Sequence, residues 1–185
     1  MLPVLYSRTR KEYKGCFAIK RELVLLFAEL STMSQSLDFS CLAIPILDGE
    51  VWSYSQSLQD VSGIVRRDNA TEDDEIGLVY CIYDLLDVPN TVPNTVPSTV
   101  TSTLTSTVPS TAGTLPFETR LQLLNNVQLL LIKQKARNII VSPTFYARNH
   151  QAVVELFTVL TVRNPISGFQ HEGIVVRDPD GLYNF

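Results

Sequence analysis

The sequence predicts an α+β fold. Three helical patterns, with apolar residues every three to four positions, are interspersed with short β-branched and aromatic runs. No Gly-rich turn joins strand to helix as it would in a doubly wound sheet. The composition, 45% hydrophobic and 18% charged over 185 residues, is that of a folded chain with a real core.

Residues 3 to 6 alternate enough for a short strand, and "SRTRKEYKG" after them reads as a basic turn. From Lys20, the residues Leu23, Leu26, Phe27 and Leu30 fall on one face of a helix. "CLAIPILDGEVWSY" reads as two strand pieces meeting at the turn signal Asp48-Gly49, with Pro45 confining the first to an edge or a bulge. "SLQDVSGIVRRDNATEDDE" carries turn residues and acids without a strong period, which predicts an exposed stretch. "IGLVYCIYDLLD" is a continuous apolar run that closes on aspartates, the pattern of a buried strand.

Residues 90 to 113 differ in kind, parsing as NTVP, NTVP, STVT, STLT, STVP and STAG without one charged residue. A four-residue period is too short for a solenoid unit, and Thr, Ser and Pro bury too little apolar surface to offset chain entropy. The segment predicts a disordered, partly polyproline-like insertion. It divides the chain into 1–87, the insertion 88–115, and 116–185.

Beyond it, "PFETRLQLL" predicts a helix opened by Pro116, with Glu118 in its first turn and Leu121, Leu123 and Leu124 following. "NIIVS" reads as a strand. "ARNHQAVVELFTVLTV" reads as a helix capped by Asn149, with Val153, Leu156, Phe157 and Leu160 facing inward. Asn164 to Gly168 breaks it, and "HEGIVVRDPDGLYNF" then reads as a strand with a charge at each end.

Several function classes fall away. A net charge of −4 argues against nucleic-acid binding driven by overall charge, although lysines and arginines gather before residue 22 and between 133 and 137, so a local basic cleft is compatible. The three cysteines, Cys16, Cys41 and Cys81, form no CxxC or Cys/His spacing and read as free thiols in a reducing compartment. No apolar run reaches the roughly 18 to 20 residues of a membrane span, and the N-terminal residues turn charged after Leu5, unlike a secretory signal. A soluble intracellular protein is expected. His150 and His171 would need a nucleophile elbow to work with Ser142 as a hydrolase, and no Gly-x-Ser-x-Gly is present.

Four stretches stand out as candidates for chemistry. They are "LYSRTRKEYKG" with Arg8, "LDGEVW" with Glu50, "VYCIYDLLD" with Tyr83, and "HEGIVVRDPDGLY", where Glu172 opens a buried-looking run. An internal carboxylate is costly unless it is paired or holds a metal.

In order, "SRT.K", "DGE", "YDLL", "PFE.R...L" and "EGIVVRDP...Y" resemble the covalent nucleotidyltransferases, specifically ATP-dependent DNA ligases of viral and bacteriophage type. The resemblance spans nearly the whole chain outside the tandem insertion. It implies part of an ATP-grasp-like adenylation domain, built of antiparallel sheets flanked by helices. In such ligases a lysine attacks the α-phosphate of ATP, the nucleotide passes to a DNA 5′-phosphate, and a 3′-hydroxyl displaces AMP. The resemblance implies ATP and Mg²⁺ as substrate and cofactor, nicked double-stranded DNA as partner, and a monomer. It assigns Arg8 to the 5′-phosphate of the nick, Glu50 to the ribose, Tyr83 to stacking on adenine, and Glu172 to the metal at the phosphates, where a hard cation suits an oxygen ligand. Arg177 joins the nucleotide-binding set with no role of its own.

Two departures matter. The family's Lys-x-Asp-Gly nucleophile motif occurs nowhere in the chain, and nothing follows "YNF" that would supply the family's later Lys-x-Lys strand. The expectation is an incomplete adenylation domain that is inactive alone. A non-catalytic remnant that binds nucleotide or DNA, and an RNA ligase or capping-type enzyme, are the alternatives.

Overall fold

The computed structural model describes residues 3–33, 46–86, 115–162 and 173–183. Its elements run α1 (Phe17–Met33), β1 (Ile46–Ser53), α2 (Leu58–Val65), β2 (Leu78–Leu86), α3 (Phe117–Gln134), β3 (Ile139–Val141) and α4 (His150–Thr161). Helix and strand therefore mix as the sequence predicts.

The sheet itself is mixed. β2 lies in the centre, antiparallel to β1 and parallel to β3, so α3 is the crossover of a β2–α3–β3 unit. This corrects the expectation of purely antiparallel pairing. Parallel neighbours need a long connection, and α3 provides one.

α1 and α3 cover one face of this sheet. Ile19, Leu23, Leu26 and Leu30 of α1 recur at helical spacing and meet Leu124, Val127, Leu130 and Leu131 of α3 over Leu78, Tyr80, Ile82 and Ile139. The sheet residues that line this core alternate along β2, so Val79 and Cys81 point to the other face.

α1 starts at Phe17, ahead of the Lys20 expected from periodicity, because its first N–H groups find an acceptor far away in sequence. The buried Glu75 carboxylate accepts from the N–H of Cys16 and, at 2.7 Å, from that of Phe17. A Cβ on Gly15 would sit 2.5 Å from Glu75 Oε1, which explains the glycine there. Still in the first half of α1, Glu22 accepts from Arg137 N at 3.0 Å and Asn138 N at 2.9 Å, tying the helix to the residues just before β3.

Four local expectations are corrected. Asp48-Gly49 is no turn: β1 runs through it as one strand, and the register shifts there because β2 carries an extra residue. The stretch predicted to be exposed contains α2, opened by a capping box of Ser57 and Asp60 and burying Val61, Ile64 and Val65. α4 forms with Asn149 accepting from Ala152 N at 2.9 Å, yet none of its residues is buried, so the inward face assigned to Val153, Leu156, Phe157 and Leu160 is not realised. The strand expected over residues 172–177 is absent among the described residues of that stretch: Gly173 to Arg177 pair with no strand.

Instead the C-terminal segment lies against the start of α3. Phe117 N donates to Gly181 O and Glu118 N to Pro179 O, each at 2.9 Å. Helix N-termini leave such donors without intrahelical partners, and here carbonyls of residues 179 and 181 supply the acceptors. The short N-terminal strand reduces to one bridge, Tyr6 to Glu12, around the basic turn that the sequence does predict. The tandem insertion, Pro45 and Glu172 lie outside the described residues.

Candidate functional site

The site forms where β1 and β2 break register. Asp48 pairs with Asp84 and Gly49 with Ile82, so Tyr83 is the additional residue on β2. A bulge of this kind re-aims one side chain. Gly49 is required opposite it, because a Cβ there would meet Cys81 O at 2.5 Å and the Tyr80 ring at 2.8 Å. The Tyr80 ring fills that space and its hydroxyl donates to Leu47 O at 2.7 Å.

On the sheet face away from α1 and α3, Glu50 pairs across from Cys81 and is exposed, while Tyr83 is half-buried. The phenol of Tyr83 is pushed above its ordinary range by burial, then by the Asp48 and Glu50 carboxylates, while Arg8 pulls it back down. Arg8, Glu50, Asp48 and Tyr83 therefore share one electrostatic neighbourhood. The sequence names three of them from three separate motifs.

Beside this cluster lies a buried charge network. Asp84 is 0% exposed, and Arg120 meets it with Nε on Oδ1 at 2.8 Å and Nη2 on Oδ2 at 3.2 Å, the two-pronged geometry that suits a guanidinium. Arg177 Nη1 reaches Oδ2 of the same carboxylate, and Leu85 N donates to Oδ1 at 2.8 Å. The remaining nitrogen of Arg120 donates to Leu115 O and, at 3.3 Å, to Gly181 O. Its guanidinium lies 5.5 Å from the Phe117 ring centroid and 5.7 Å from that of Tyr183, and Arg177 lies 5.1 Å from Phe117. Tyr183 closes the circuit by donating to Asp48 Oδ2. Burial and that carboxylate hold the Tyr183 phenol well above its usual range.

The placement of each expected residue follows. Arg8, Glu50 and Tyr83 are brought together; Arg177 is engaged one residue away, by Asp84; Glu172 lies outside the described residues. Asp48, Asp84, Arg120 and Tyr183 are additions. Arg120 carried a readable signal, since it falls in phase with Leu124, Val127 and Leu131 on the buried side of α3. Asp84 carried one too, as a carboxylate inside an apolar run.

For the metal, no group of three His, Cys, Asp or Glu side chains among the described residues is placed to hold an ion. The described residues thus form no all-protein cage for Mg²⁺. No helix among them is long and apolar enough to cross a membrane. The two described cysteines, Cys16 and Cys81, are free thiols. Compared with known proteins, the chain matches no family model and no curated protein.

Proposed function

We propose that this chain is part of the adenylation domain of an ATP-dependent DNA ligase and that the bulged end of β2 is its adenine site. The observation that carries the reading is spatial convergence. The motifs of the resemblance are scattered from residue 7 to residue 183, yet Asp84 of "YDLL", Arg120 of "PFE.R" and Arg177 of "EGIVVRDP...Y" share one hydrogen-bonded network, and Tyr183, whose ring lies 5.7 Å from the Arg120 guanidinium, bonds Asp48 of "DGE" beside it.

In this reading Tyr83 offers its ring to adenine, Glu50 the carboxylate to the ribose, and Arg8 a cation to the 5′-phosphate of nicked DNA. Glu172, outside the described residues, would offer a carboxylate oxygen to Mg²⁺, which would neutralise phosphate charge. The chain holds no Lys-x-Asp-Gly, so nucleotide is bound here without a covalent acceptor.

Equilibrium binding of radiolabelled ATP tests this. ATP should bind reversibly, and Tyr83→Ala should weaken it by about 1–3 kcal/mol, roughly 5- to 150-fold, the range for loss of one aromatic stack on a base. No label should survive denaturation. Unchanged binding in Tyr83→Ala would remove the adenine assignment, and stable labelling would place a nucleophile within the chain.

A second reading, a remnant that binds nucleotide or DNA without catalysis, is favoured by the same missing motif. Genomic sequence upstream of Met1 separates the two: a Lys-x-Asp-Gly in any frame favours the ligase.

A further inference from the structure

We infer that Asp84 is a positioning residue that couples nucleotide binding at Tyr83 to docking of the C-terminal segment 173–183. The inference rests on the reading of Tyr83 given above. It concerns a residue to which neither the motifs nor that reading gives a role.

Three facts carry it. Asp84 immediately follows the bulged Tyr83, so whatever fixes its carboxylate also fixes the backbone from which that ring projects. Two cations from different parts of the chain fix it: Arg120 from α3 is 2% exposed, whereas Arg177 from the C-terminal segment retains 25% exposure at its side chain. Residues 173–183 belong to no helix or strand. The contacts that hold them include the Arg177–Asp84 ion pair, the Tyr183–Asp48 hydrogen bond, the carbonyls of Pro179 and Gly181 at α3 and Arg120, and the ring contacts Arg177–Phe117 and Arg120–Tyr183.

The two side-chain anchors flank Tyr83 on both strands. Asp84 is its neighbour on β2, and Asp48, the β1 residue paired with Asp84, is one of the two β1 carboxylates whose charge reaches its phenol. A ligand that holds Tyr83 and its bulge in place therefore holds both anchor points of the segment. Linkage requires the reverse as well: a docked segment favours the ligand by the same factor.

The test uses the whole chain with ATP as the probe, following amide hydrogen exchange, ATP affinity and thermal melting together. Arg177 is the residue to change, since Asp84 and Arg120 are buried and their loss threatens folding. In the wild type, saturating ATP should slow exchange across 173–183. In Arg177→Gln the melt should stay close to wild type. Its 173–183 amides should exchange faster, ATP should no longer slow them, and ATP affinity should fall about tenfold, within the usual range of coupling between sites. Arg177→Lys, which keeps the charge, should recover part of both effects.

A merely structural contact would alter exchange and leave its response to ATP intact, and that result overturns the coupling. So does an Arg177→Gln protein that binds ATP as tightly as the wild type does. Failure of the wild type to bind ATP overturns the adenine site and the coupling with it. Failure of Arg177→Gln to loosen 173–183 overturns the anchoring alone.

Discussion

Gly49 shows how a single missing Cβ shapes the site. The dipeptide Asp48-Gly49 is a strong turn signal, but the glycine serves a close approach within a strand, under the ring of Tyr80 and against the carbonyl of Cys81. Gly49→Ala should destabilise the fold by about 1–3 kcal/mol, as overpacking of a tight site does. Urea denaturation should show a lower midpoint with the slope preserved. The buried network makes the contrasting case. Replacing Arg120 with Met takes two hydrogen bonds and a cation from Asp84, leaving the half-buried Arg177 as its cationic partner. Removal of one partner from a buried pair costs about 3–5 kcal/mol when the charge left behind is uncompensated, and the remaining Arg177 holds the loss here to the low end of that range. Lys133→Ala, which breaks the exposed pair with Glu29, should move the midpoint by about 0.5 kcal/mol or less. Equal effects at the two sites would refute the account of the node. Tyr83, Glu50 and Arg8 could be picked out as candidates because each sits in a short motif. Arg120 was harder to see: its phase with Leu124, Val127 and Leu131 marks a buried face, but its role emerges only with its distant carboxylate, Asp84.

Among the elements, α1, β2, α3, β3 and α4 were legible from periodicity and caps, whereas α2 was not. Its eight residues hold barely two helical turns, too few for a period to stand out from the surrounding acids. The local signal was the Ser57-x-x-Asp60 capping box, whose Ser57 hydroxyl accepts from Asp60 N at 3.2 Å. Ser57→Ala should cost about 1 kcal/mol, detectable as a lowered melting temperature, with no effect on the α1–α3 core. The C-terminal segment failed as a strand for a different reason. Ile174, Val175 and Val176 favour β structure, but a strand forms only beside a free partner, and the backbone acceptors at 179 and 181 go to the α3 N-terminus instead. Arg120 binds Asp84, two residues before the end of β2, and the carbonyl of Leu115, two residues before α3, so it ties the end of β2 to the start of α3. Closure entropy changes by only about 0.6 kcal/mol per doubling of loop length. Halving the stretch 90–113 should therefore raise stability by about that much, and a loss of several kcal/mol on calorimetry would show that the repeat packs on the fold.

At the scale of the whole molecule, the same packing that builds the core sets how stability responds to alkali. The mixed order of helix and strand foretold the class, but the parallel β2–β3 pair was invisible in sequence because register and direction are tertiary properties of strands forty or more residues apart. Folding around that sheet buries groups that must stay protonated. Burial first, then the Glu75 carboxylate, pushes the Cys16 thiol from its ordinary 9.0 up to about 11, with Lys20 opposing. Tyr80 and Tyr83 are raised chiefly by burial and then by Asp48, and Tyr183 by burial and then by its hydrogen bond to Asp48. All four native groups therefore release protons later than the unfolded chain does. Below about pH 8 both states are fully protonated at these sites, and the slope of stability with pH from them is zero. From pH 9 upward the unfolded thiol ionises while the native one does not, so the native state binds more protons and stability falls as pH rises, until Cys16 itself titrates near pH 11. Ionisation of the unfolded phenols steepens the loss above about pH 10. Thermal melts between pH 7 and 11 should be flat at first and then decline. Cys16→Ala should lessen the slope between 9 and 10, where Cys81, also raised by burial, still contributes, and leave the steeper tyrosine-driven part above it. A thiolate absorbance from Cys16 rising near pH 9 in the folded protein would contradict its burial beside Glu75 and with it the start of α1.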